Sequence, residues 1–252
     1  MYNKILKEIL LYKNPEKAKI LSGFFKTGKG QYGEGDLFLG ITVPVSRKIA
    51  VKYGDISFSD LLKLMKNKYH EVRLISILIL VHKYKISPKQ GLGEKKKIVD
   101  FYLANTKYIN NWDLVDLSAH YILGDYLFIL TDTNSAPAEF VSVSGFKNRV
   151  ILEKLAKSKN IWERRIAIIS TFAFIYKGES EWTFRIVKML MNDSHDLIQK
   201  ACGWMLREVG KRVSETKLIE FLDIYGEKMP RTMLRYSIER LPEKKRKFYL
   251  KK

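Results

Sequence analysis

The chain has 252 residues, 46% apolar and 12% aromatic, enough to bury one elongated core or two compact ones. Lysine and arginine outnumber aspartate and glutamate 46 to 27; the formal net charge of +19 points to an anionic partner, nucleic acid first and a membrane surface second, with a generally lysine-rich surface as the plainer alternative. Cys202 is the one cysteine, which excludes a disulfide framework, and no apolar run reaches the ~20 residues of a membrane helix, so a soluble, cytoplasmic protein is expected.

In chain order, MYNKILKEILLYKN sets charges inside an apolar pattern. Ile5, Ile9 and Tyr12 share a face, which predicts an amphipathic helix and not a signal peptide. FKTGKGQYGEGDLFLG (25–40) is a glycine-rich loop containing a formal G-x-G-x-x-G, Gly28 to Gly33. A dinucleotide fingerprint needs a preceding strand, and an amphipathic helix stands there instead. Two readings of the loop stand side by side: free backbone N–H groups near Lys26 and Lys29 that hold a phosphate, or a plain connector. Leu61, Leu62 and Met65, then Val72, Ile75, Leu78 and Ile79, keep helical spacing. The breakers Asn14-Pro15, Pro44, Ser87-Pro88, Pro137 and Met229-Pro230 fall between helices, and LTDTNSAPAEFVSVSG (130–145) is predicted as a surface loop.

Four segments echo one another: HEVRLISILIL (70–80), NNWDLVDLSAHYIL (110–123), NIWERRIAIISTF (160–172) and HDLIQKACGWML (195–206). Each opens a helix that soon becomes strongly apolar, at a spacing near that of two-helix repeats. The expectation is one all-α domain over 1–252, a helical-repeat solenoid whose basic concave face binds duplex DNA or RNA.

NNWDLVDLSAHY carries the sharpest question, because it places two acids beside a tryptophan in a strongly basic chain. With Asn110 or Asn111 as N-cap, Asp113 lies in the first turn, where the helix dipole accounts for it at about 0.3–1 kcal/mol. Asp116 lies a turn further in, beyond that explanation. It follows Trp112 by four residues, so the two side chains share a face about 40° apart, and His120 continues the stripe. A carboxylate beside an indole in a basic groove suits recognition of a cation; a plain salt-bridge acid is the alternative. Trp162 with Arg164 and Arg165, and Trp204 with Lys200 and Arg207, repeat the pairing of tryptophan with charge. The tail LPEKKRKFYLKK is a further phosphate-binding candidate or a solvated helix end. His70, His82, His120 and His195 lack metal-ligand spacing, so no metal is expected, and no G-x-S-x-G elbow appears.

FLGITVPVSRK (38–48), HEVRLISILIL, NNWDLVD, IWERRIAI and GWMLRE (203–208), in this order, resemble the AlkD-type DNA alkylation-repair glycosylases, from about residue 20 to 215. The resemblance implies HEAT-like helical repeats. It also implies excision of positively charged alkylated purines, 3-alkyladenine and 7-alkylguanine, from duplex DNA, with the lesion left stacked. It assigns the catalytic aspartate to Asp116 through W-D-x-V-D, the paired aromatics to Trp112 and Trp204, and the catalytic-site arginine to Arg165, two residues before Ala167. Arg207 matches a position that contacts the DNA backbone. With Lys200, Arg164, Lys29 and Tyr32 it makes up the expected DNA-binding set. The departures are the long 130–145 connection and the glycine-rich loop, which only part of the family carries. A monomeric, monofunctional glycosylase without cofactor is therefore expected. A non-catalytic nucleic-acid-binding module and a protein-interaction scaffold are the competing classes.

Overall fold

The computed structural model describes residues 1–86, 91–130 and 144–251. Ser87-Pro88, Pro137 and most of the connection predicted at 130–145 lie outside these residues. Among the described residues regular structure is helical, with one isolated bridge between Leu37 and Tyr69, and the fold is an all-α helical-repeat fold. No described helix is long and apolar enough to cross a membrane. The chain divides into two compact units, Met1–Ser118 and Ala119–Lys252.

The first unit contains α1 (Tyr2–Leu10), α2 (Pro15–Phe24), α3 (Val43–Lys52), α4 (Phe58–Met65), α5 (His70–Ile86), α6 (Leu92–Ala104) and α7 (Trp112–Asp116). The Asn14-Pro15 pair acts as its residue types dictate. The Asn14 carboxamide accepts from Lys17 N at 2.9 Å, and Pro15 starts α2 where its missing N–H is not needed. Helix α5 is the core of the unit. It is buried on nearly every side, from Val72 to Tyr84, by α3, α4, α6 and α7, which is why its sequence reads as an almost continuous apolar run.

Its first turn fixes the loop before α3. Glu71 is fully buried and its carboxylate accepts from Leu39 N, Gly40 N and Ile41 N at 2.9, 2.7 and 3.2 Å. Gly40 has φ +81°, and a Cβ there would lie 2.0 Å from Asn14 O, so only glycine lets this loop pass the start of α2.

The second unit runs from a π-helical turn (His120–Gly124) into α8 (Asp125–Ile129), α9 (Ser144–Ala156), α10 (Ile161–Ser170) and α11 (Phe172–Tyr176). It continues through α12 (Glu181–Leu190), α13 (Asp196–Arg212), α14 (Glu215–Tyr225), α15 (Arg231–Ser237) and α16 (Glu243–Lys251). The four echoing segments do each open a helix: α5, α7, α10 and α13. Three of them use the same device, a side chain of Asn111, Asn160 or His195 accepting from a first-turn N–H.

Helices α13 and α15 meet at Gly203, where a Cβ would lie 2.5 Å from Met233 O and 2.5 Å from Tyr236 Cβ. Helix propensity alone favours Gly203→Ala by about 1 kcal/mol. The backbone carbonyl cannot rotate away, however, so overpacking at the upper end of about 1–3 kcal/mol decides the sign. The variant is expected to lose about 2 kcal/mol and several degrees of Tm. A rise in Tm by calorimetry would show instead that the two helices part without cost.

Candidate active site

The predicted site residues fall in both units: Lys29, Tyr32, Trp112 and Asp116 in the first, Arg164, Arg165, Lys200, Trp204 and Arg207 in the second.

In the first unit the acid and the indole stand at opposite ends of the short helix α7. Asn111 is its N-cap, with the side-chain oxygen 2.8 Å from Trp112 N. Trp112 is half-buried; its ring stacks on Phe25 (centroids 5.2 Å apart, 15° between planes) and meets the edge of Phe24 at 5.9 Å. Asp116, also half-buried, is the last residue of the helix. A carboxylate there faces the negative end of the helix dipole, so stabilising the helix does not account for it. Behind it the Tyr102 hydroxyl, fully buried, lies 2.9 Å from Ser118 Oγ, which itself donates to Leu114 O at 2.6 Å. Ser118 has one proton to give, so Tyr102 is the donor. Burial, and then the Asp116 charge, hold the Tyr102 phenol protonated.

Asp113 exceeds the expectation made for it. It is buried; Oδ1 accepts from Leu114 N at 2.9 Å, and Oδ2 lies 2.8 Å from His70 Nε2. On the far side of the imidazole, Asp36 Oδ2 is 3.3 Å from His70 Nδ1. Asp36 also accepts from Arg73 Nη2 at 2.6 Å and from Asn111 Nδ2 at 3.1 Å. Burial works to raise the Asp36 pKa, but the hydrogen bond from His70 and the Arg73 charge outweigh it and hold the carboxyl below its ordinary value. No pattern along the chain signals this cluster: the histidines lack any recurring spacing, and Asp113 lies 43 positions after His70.

Two further expectations for this unit are corrected. The stripe Trp112–Asp116–His120 does not continue as one helix, because α7 ends at Asp116, Leu117 and Ser118 form a turn, and His120 opens the π-helical turn. The glycine-rich loop also does not offer its first N–H groups to a phosphate. Gly28 N donates to Gln31 Oε1 at 3.0 Å and Gly30 N to Glu34 Oε2 at 2.7 Å, which favours the connector reading. Lys29 is exposed on that loop, and the Tyr32 hydroxyl reaches Phe24 O at 3.5 Å.

In the second unit Trp204 is half-buried on α13, 5.8 Å from the Phe172 ring, and Phe172 also meets His120 at 5.5 Å. Arg165 is buried, with Nη1 donating to Leu197 O at 2.5 Å in the first turn of the helix that carries Trp204. Arg164 donates to Asp193 at 2.6 Å and to the Ser158 and Lys159 carbonyls at 3.0 Å, a structural bracing of the loop before α13. Trp162 is buried in the core, unlike the half-buried Trp112 and Trp204. Lys200 pairs with Asp196 at 2.7 Å.

Arg207 donates to Glu208 at 3.0 Å and to Glu239 at 2.5 Å, and Arg212 donates to the other Glu208 oxygen at 2.8 Å. Burial pushes the Glu208 pKa up, but these two guanidinium bonds more than reverse it and keep the carboxyl ionised. Arg207 also borders a cleft of about 340 Å³ with Lys211 and Arg240. Among the described residues no group of three His, Cys, Asp or Glu is arranged to hold a metal.

The frame is therefore a helical-repeat protein carrying a short Trp–Asp helix on one unit and an arginine- and tryptophan-bearing helix on the other. The chain belongs to the DNA alkylation repair enzyme family, whose sequence model matches residues 5–241. Its fold is similar to that of a solved structure from Enterococcus faecalis described as a predicted DNA alkylation repair enzyme, with a TM-score of 0.65 and 18% identity over 92% of this chain and 97% of that one. No curated protein matches the chain.

Proposed function

We propose that the chain is a monofunctional DNA glycosylase that excises positively charged alkylated purines, such as 3-alkyladenine and 7-alkylguanine, from duplex DNA by hydrolysis. The observation that carries this reading is Asp116: a carboxylate in a chain of net charge +19, at the wrong end of a helix for stability, one turn from a half-buried indole.

Alkylation makes the purine a good leaving group, and positive charge develops on the sugar as the glycosidic bond breaks. A carboxylate fixed near the sugar stabilises that oxocarbenium-like state and orients or deprotonates the attacking water. Trp112 and Trp204 offer aromatic faces to the cationic nucleotide, each contact contributing about 0.5–2 kcal/mol. Arg165, anchored at the start of α13, serves the lesion strand's phosphate, and Arg207 the DNA backbone. The Arg207–Glu239 pair is no obstacle: Glu239 is half exposed, and such a pair contributes at most about 1 kcal/mol, so a phosphate can replace it. Surface lysines supply salt-sensitive affinity without sequence preference.

The test is single-turnover release of 7-methylguanine from a duplex oligonucleotide, read beside DNA affinity over a salt series. Release without strand cleavage, and affinity that falls steeply with salt, are the expected results. Salt-sensitive binding with no release would make the chain a non-catalytic DNA binder. Absence of DNA binding would favour the protein scaffold.

A further inference from the structure

His70 is buried at the start of α5 and held on four sides. Phe25 and Phe38 flank its ring at centroid distances of 4.8 and 4.7 Å, and Asp36 and Asp113 meet its two nitrogens. An ionised carboxylate accepts hydrogen bonds and cannot donate them, so two such partners require both ring nitrogens to carry protons. The imidazole is therefore an imidazolium between two aromatic faces. Three of these four contacts lead to the short helix of the candidate site. Asp113 is the second residue of α7 and binds Leu114 N within it, Asp36 holds the N-cap Asn111, and the face of Phe25 stacks on Trp112.

We propose that His70 is a positioning residue for the Trp112–Asp116 helix: as an imidazolium bonded to both Asp36 and Asp113, it fixes the first turn of α7 and, through Phe25, the plane of Trp112. It touches no substrate. Its effect on excision rests on the glycosylase reading, whereas its hold on Trp112 does not.

The charged groups that meet His70 are Asp36 on the loop before α3, Arg73 on its own helix and Asp113 on α7. Burial pulls the imidazole pKa down and Arg73 adds to that. The charge and hydrogen bond of Asp113, with the bond to Asp36, prevail and raise it from 6.5 to about 9. A raised folded value means that the interaction is fully present below 6.5 and is lost as pH rises through about 9.

The test begins on the unaltered protein. The ring protons of His70 and the indole N–H of Trp112, assigned with Trp112→Phe, are followed by NMR from pH 6 to pH 10. Both resonances are expected to move with one midpoint near 9. His70→Gln is then expected to displace the Trp112 signal at neutral pH and to lower single-turnover excision by about a hundredfold, the usual effect of misplacing a reacting group by an ångström. DNA affinity should stay within about threefold, since no phosphate contact is lost.

A Trp112 resonance that ignores the His70 titration overturns the proposal, whatever the activity. So does a His70→Gln protein with wild-type excision and an unmoved indole. A coupled titration in a protein that releases no base leaves the positioning role standing and removes the glycosylase reading.

Discussion

Asp116→Asn is expected to lower single-turnover release of 7-methylguanine by about a thousandfold while DNA affinity stays the same or improves. Asparagine keeps the shape and the half-buried fit of the side chain, so α7 and Trp112 should stay in place and the fold should not suffer. The variant loses the negative charge and exchanges one acceptor oxygen for an NH2 donor, and one preorganised group aimed at developing charge commonly accounts for about 10²–10³ in rate. Full loss of a carboxylate from beside an oxocarbenium-like sugar belongs at the upper end. The direction for affinity is separate. DNA is a polyanion, so deleting an acid at its binding surface removes repulsion and cannot weaken the phosphate contacts. A fall in rate and affinity together would mean damage to the surface. Equal excision by wild type and variant would place the chemistry elsewhere, with His120 the next residue to substitute.

Glu71→Ala is expected to be the most destabilising single change in the first unit. The carboxylate is the common acceptor for Leu39, Gly40 and Ile41 N–H, and it is fully buried. Truncation leaves buried donors without acceptors at about 1–3 kcal/mol each. The loop will open to water before the whole sum accrues, so about 3–5 kcal/mol is the expected loss. At about 2–4 °C per kcal/mol for a chain of this size, Tm should fall by roughly 10 °C. The same loop carries Asp36 and Phe38, both in contact with His70, so the Trp112 resonance should also broaden or shift. A loss below about 1 kcal/mol would show that the apolar side chains Phe38, Leu39 and Ile41 hold the loop by themselves.

Much of the fold was legible because it rests on local chemistry. The 3–4 spacing of apolar residues marked α1, α4 and α5. The Asn14-Pro15 breaker and an N-cap at Asn110 or Asn111 marked the boundaries before α2 and α7; the structure gives Asn14 and Asn111 as the caps, each serving an N–H only a few residues away. The W-D-x-V-D pattern was legible too, and it placed an indole and an acid on one short helix. Arg164 was harder to read. Its neighbours in sequence suggest a free cation, yet Asp193, 29 positions away, takes its guanidinium.

The sequence by itself determined an all-helical chain, a strong positive charge, and the placing of Trp112 and Asp116 on one short helix, since these depend on composition and on spacing within one or two turns. The tertiary structure alone decided that α7 stops at Asp116, that Asp113 binds His70 rather than only the helix dipole, and that Glu71 and Gly40 lock the loop before α3. Those outcomes depend on which helix ends approach one another in a packed core, and no periodicity along the chain records the meeting of groups 30 or 40 residues apart.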